Sequence, residues 1–215
     1  MVKTNPLYSL LVMCALELFL YGCGGTPERN DTPLSATVTP LAGKALIVFV
    51  RPLSYITIID YPRAPVFEAK YAESAPETVG KDSEPEIVAI LPVKTMVAYH
   101  VDPGRHLFMA VGESADFMTA EVLPNRTYYV LVLARPGKHA PLYSFKAVDK
   151  QEQGSKDFKE VIASSRWVVK TPEALSYAAS NMPVIRSRQY ESYRLWIQKA
   201  ESERPRLLPD YGTGQ

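Results

Sequence analysis

Cysteine and histidine are scarce in this chain of 215 residues, two of the first and three of the second, and the net charge is only +1. A balance so close to neutral leaves no electrostatic footprint for nucleic acid or for anionic lipid headgroups. No apolar run reaches the roughly 20 residues of a membrane-crossing helix. Neither Gly-x-Ser-x-Gly nor Ser-x-x-Lys occurs, and there is no glycine-rich loop to cradle a phosphate. No enzymatic activity and no cofactor are expected from these absences. What is present in quantity is proline and tyrosine, eighteen and thirteen residues. Both suit a β-rich chain with many turns. The length and the 47% hydrophobic content suffice for one domain and some extra.

The N-terminus has the layout of an export signal. Lys3 precedes the apolar stretch Leu7 to Tyr21, which is interrupted by Glu17. At about fifteen residues the stretch matches a signal h-region rather than a span. It starts without a capping residue and ends in Gly22-Cys23-Gly24-Gly25, which does not suit a core helix. Leu20-Tyr21-Gly22-Cys23 resembles the lipobox of bacterial lipoproteins, with Tyr21 bulkier than the usual Ala or Ser. The resemblance implies cleavage between Gly22 and Cys23 and lipidation of the Cys23 thiol. Cys14 would leave with residues 1–22, so the mature chain would have no disulfide and no free thiol. Two or three acyl chains anchor a protein stably where one holds it only marginally. Gly24 is not the aspartate that favours inner-membrane retention in enterobacterial lipoproteins. The implied address is the outer membrane, with the protein facing the periplasm or the surface.

Residues 23–42, rich in Gly, Thr, Pro and Ser, read as a flexible tether. Residues 43–150 read as an antiparallel β-sandwich. Strands are expected at Lys44 to Arg51, Ser54 to Asp60, Pro65 to Tyr71, Ile87 to Leu91 and Met96 to Val101. Others are expected at Arg105 to Val111, Phe117 to Val122, Thr127 to Ala134 and Leu142 to Val148. Glu73 to Pro85 reads as a surface loop. Val101-Asp-Pro-Gly-Arg-His106 fits a type II hairpin turn in which Gly104 supplies the positive φ, and Leu123-Pro-Asn-Arg126 is the next turn. Residues 151–203 form a C-terminal helical extension packed on the sandwich. It begins with a charged linker at Gln151 to Asp157, then a short helix and a strand at Arg166 to Val169. Thr171 and Pro172 start a helix to about Asn181. An amphipathic helix follows over Pro183 to Ser202. Residues 204–215 read as a loose tail.

Gly43 to Pro52, Val101 to His106 and Leu123 to Val130 resemble an uncharacterised family of bacterial envelope domains, with a turn-and-strand grammar similar to PEGA-type modules. The resemblance implies a β-sandwich in the envelope and no established activity. Candidate binding residues are Arg51, His106 and Tyr128. Arg51 ends an apolar strand and is open to an anion or to pairing with Asp60 or Asp102. Tyr55, Tyr61, Tyr71, Tyr128 and Tyr129 are open to a ligand-binding face or to strand packing. His100, Asp102 and His106 lie around one turn. A metal or hydrolytic centre there is a rival reading, although a metal needs a fuller ligand set. The aromatic stripe of 183–202 either packs on the sandwich or docks an envelope protein. The reading that joins these features is a membrane-anchored, non-catalytic binding or assembly module.

Overall fold

The computed structural model describes residues 38–53, 63–70, 84–140 and 142–214. Gly22 and Cys23, the strand expected at Ser54 to Asp60, and Tyr55, Tyr61 and Tyr71 lie outside the described residues. Among those described, eleven strands form two sheets. The first contains β1 (Ala45–Arg51), β4 (Thr95–Val101), β7 (Arg126–Arg135), β8 (Leu142–Val148), β9 (Arg166–Val168) and β11 (Thr213–Gly214). Its order is β11-β7-β1-β4-β9, with β8 also paired to β7. The second contains β2 (Ala64–Ala69), β3 (Glu86–Leu91), β5 (Gly104–Val111), β6 (Ala115–Val122) and β10 (Arg206–Leu207), in the order β10-β6-β5-β2-β3. The fold is mainly β with a long C-terminal helix packed on it. Most pairs are antiparallel, but β1 with β7, β4 with β9 and β6 with β10 run parallel, so both sheets are mixed.

Side-chain alternation explains why β1 is buried along its whole length. Ala45, Ile47 and Phe49 face the second sheet and join Phe108, Met118 and Tyr128 in the central core. Leu46, Val48 and Val50 point the other way, into a layer with Met96 and Phe158. The second sheet divides in the same manner at β5. Phe108 and Ala110 face the centre, while Leu107, Met109 and Val111 face Ile185, Tyr193 and Trp196 of the long helix. A strand covered on both faces reads as a continuous apolar run, which is how β1 reads in sequence.

Among the described residues, the outer layers come from three helices, α1 (Lys150–Gly154), α2 (Lys156–Ala163) and α3 (Pro172–Trp196). The segment expected as a charged linker at 151–157 is helical. Asp149 caps α1 by accepting from the Glu152 N–H, and Ser155 caps α2 by accepting from the Phe158 N–H. The two helices expected around Pro183 are one. Thr171 accepts from the Ala174 N–H at 3.3 Å, Pro172 occupies the first turn, and the helix runs through Pro183. Its buried stripe, including Ala174, Ala178, Ile185, Tyr193 and Trp196, lies on the second sheet and outweighs the proline's missing donor. The tail expected to be loose is also ordered, because β10 adds to β6 and β11 adds to β7.

The turn at Asp102-Pro103-Gly104 differs from the expected hairpin. Gly104 does have a positive φ, +129°, but β4 and β5 do not pair. The turn carries the chain from the first sheet to the second, and the Leu123 to Arg126 turn carries it back. Asn125 (φ 58°) secures that second corner: its side chain accepts from the Gly43 N–H at 2.8 Å and its N–H donates to the Lys44 carbonyl at 2.7 Å.

Candidate functional site

The corner at Gly104 brings three polar side chains from both sheets together. Tyr99 on β4 donates its hydroxyl to Glu68 Oε2 at 2.6 Å, and Glu68 on β2 accepts from His106 Nδ1 at 2.6 Å. His106 on β5 donates from Nε2 to the Asp102 carbonyl at 2.8 Å. Both partners of the imidazole are acceptors, an arrangement that a ring protonated on both nitrogens satisfies. Burial opposes a charged ring at His106. The Glu68 hydrogen bond, the Asp102 carbonyl and the two carboxylate charges outweigh it, and its pKa is raised. Burial likewise pushes Glu68 upward, but the hydrogen bonds from His106 and Tyr99 and the His106 charge leave its pKa lowered. Burial and the adjacent Glu68 raise the Tyr99 pKa, which keeps its hydroxyl a donor.

His106 stands between two openings. On one side is a cavity of about 160 Å3 bordered by Glu68, Lys70, Glu84, Glu86 and Arg105. On the other is a cavity of about 270 Å3 where β5 and β6 meet the end of α3 and the C-terminal segment. Arg105, His106, Thr119, Trp196, Arg204 and Arg206 line it, with Glu121 and Glu201 among the remaining wall residues. Trp196 is the last residue of α3 and stacks on Tyr193, with Phe117 against both rings. The Arg204 guanidinium carbon lies 5.3 Å from the Trp196 ring centroid, and Arg206 is paired with Glu201.

The three residues of the possible metal or hydrolytic centre do not converge. His100 donates from Nε2 to the Thr39 carbonyl at 3.1 Å, Asp102 pairs with Lys44 at 2.7 Å, and His106 is held by Glu68. Among the described residues, no group of three His, Cys, Asp or Glu side chains is placed to hold an ion. Arg51 is buried, as its strand-end position suggests; of the two suggested aspartates, Asp60 lies outside the described residues and Asp102 binds Lys44. Arg51 donates to the Leu91 carbonyl at 2.6 Å and lies over the Tyr143 ring, so it joins β1 to β3 and β8. Tyr128 is fully buried rather than part of a ligand-binding face. Its hydroxyl accepts from the Leu123 N–H at 2.9 Å and donates to the Pro209 carbonyl at 3.2 Å. Tyr129 packs edge-on against Phe158.

Of Arg51, His106 and Tyr128, His106 borders the cavities described above, and Tyr129 borders a separate one with Gln153 and Phe158. Sequence reasoning missed Glu68, Tyr99, Trp196 and Arg204. In sequence, Trp196 reads only as part of an apolar stripe, and Arg204 lies in a segment that reads as a tail. No protein-family model matches the chain, and no curated protein matches it either. No described helix is long and apolar enough to cross a membrane.

Proposed function

We propose that the protein is a lipid-anchored lipoprotein of the bacterial envelope whose β-sandwich acts as a non-catalytic binding module, with the cavity beside His106 as its site. The anchor rests on Leu20-Tyr21-Gly22-Cys23, and two or three acyl chains on Cys23 would hold it stably. The binding reading is carried by one observation: both ring nitrogens of His106 are committed to acceptors. A general base needs a free lone pair within reach of its substrate. With both nitrogens so engaged this ring has none, and the cavity wall adds the cations Arg105, Arg204 and Arg206 beside the carboxylates Glu121 and Glu201. The rival docking role for residues 183–202 has less support, because their apolar stripe is already covered by the second sheet.

Two measurements test this reading. The intact mass of the chain extracted from bacterial membranes should correspond to residues 23 onward with acyl chains on Cys23. Cys23→Ala should abolish that mass and move the protein to the soluble fraction. An unmodified Cys23 with residues 1–22 attached removes the anchor. For the cavity, a low-molecular-weight extract of bacterial envelopes should raise the melting temperature of the full chain. Thr119→Trp, which fills the cavity, should abolish the rise, and an equal rise in that variant places binding elsewhere.

A further inference from the structure

We infer that the C-terminal half of α3, residues 185–196, opens from the second sheet as a unit while both sheets stay folded. Gln189 is fully buried in the middle of that half, and neither Oε1 nor Nε2 of its amide has a hydrogen-bond partner among the described residues. Trp196, 3% exposed at the end of the helix, has an indole Nε1 in the same state. Buried polar groups are ordinarily paired, and one left unpaired has given up its hydrogen bonds to water without replacement. Both side chains recover those bonds when the stretch lifts into solvent. That recovery offsets part of the cost of exposing Ile185, Tyr193 and the Trp196 ring, which hold the helix on Leu107, Met109 and Phe117. The strands have no such gain on opening: the buried residues from Ala45 to Val50 of β1 and from Leu107 to Val111 of β5 are all apolar.

The moving part has a hinge and a catch. Pro183 stands inside α3 and offers no N–H to the carbonyl of Ala179, so the helix lacks a rung where the two halves meet. The first half is anchored separately, through the Thr171 cap and the buried Ala174 and Ala178. The second half is caught by the turn between β5 and β6. Arg188 donates from Nη1 to the Gly112 carbonyl at 2.6 Å, and Ser192 Oγ accepts from the Ala115 N–H at 3.0 Å. Both bonds are only partly buried, so water replaces them at little cost once the stretch moves. Beyond the helix, Lys199 faces Asp116 at 3.8 Å across the same junction. Trp196 lines the cavity of about 270 Å3, so opening widens that cavity and admits what it binds. This last consequence rests on the reading of the cavity as a binding site, whereas the opening itself does not.

Hydrogen–deuterium exchange of the full chain without ligand, read by mass spectrometry, tests the opening. Amides of residues 185–196 should be protected roughly tenfold less than those of β1 and β5, and less than those of residues 176–182. Gln189→Leu, with its circular dichroism unchanged, removes the unpaired amide and should slow exchange of 185–196 about fivefold or more. Gln189→Met is the second variant, and the comparison within the unaltered chain decides if neither folds. The inference is overturned if 185–196 is as protected as the strands, if 176–182 exchanges equally fast, or if a folded variant exchanges no more slowly. Opening with no melting-temperature rise from envelope extract removes the cavity's binding role and leaves the hinged helix standing. A rise from the extract with 185–196 as protected as the strands does the reverse.

Discussion

Tyr99, Glu68 and His106 come from three strands and both sheets, so their ionisation ties sheet packing to pH. His106 has a raised pKa, and its contribution is complete below the unfolded value of 6.5 and is lost as pH rises through the folded value. Glu68 has a lowered pKa, and its contribution is complete above 4.5 and is lost as pH falls through the folded value. The pair therefore stabilises most between those two unfolded values. Glu68→Gln should cost about 1–3 kcal/mol there, the range for stranding a charged partner. Thermal melts across pH should show the gap between variant and parent narrowing at both ends, and a constant gap would contradict the coupling. Gly212 has a different constraint. A Cβ there would lie 2.5 Å from Cζ of the buried Tyr128 ring, so Gly212→Ala should destabilise by about 1–3 kcal/mol in chemical denaturation. Sequence inspection finds His106 because histidine is rare here, but it does not find Glu68. A carboxylate inside the strand Ala64–Ala69 looks like any solvent-facing strand residue until the fold places it beside an imidazole.

Strands with one dominant pattern were the most legible elements. Ala45–Arg51 and Arg126–Arg135 are dense in apolar residues because each is covered or flanked on both sides, and the structure has strands there. The helices were harder. In α1 no side chain is buried, so a segment of Lys, Gln and Glu reads as linker even though Asp149 supplies a cap. Pro183 misled in the other direction, since a proline ordinarily ends a helix. In α3 the packed stripe on both sides of Pro183 carries the helix through it. The proline still removes a backbone donor, so Pro183→Ala should stabilise the protein by up to about 3 kcal/mol and raise the melting temperature. A lower melting temperature would mean that the ring's own packing outweighs the restored hydrogen bond.

For the molecule as a whole, local turn chemistry identified the corners but not what they connect. Asp102-Pro103-Gly104 has the same signature whether it closes a hairpin or passes between sheets, and only long-range pairing decides. Here β4 takes β1 and β9 as neighbours, and β5 takes β2 and β6. That crossing is what sets His106 against Glu68 and leaves its ring at the wall of the larger cavity. The C-terminal segment completes the same wall through short pairings that hold Arg204 and Arg206 in place, a contribution with almost no apolar signal beyond Leu207. The central claim is that this cavity binds without His106 acting as a base, and it depends on the protonation of one ring. Nitrogen-15 NMR of the histidine side chains at pH 6.5 tests it most directly, because an unperturbed histidine is half protonated there. The account predicts that both His106 nitrogens are predominantly protonated. A His106 ring with one nitrogen largely unprotonated and exchanging with solvent would be available as a base and contradict the account.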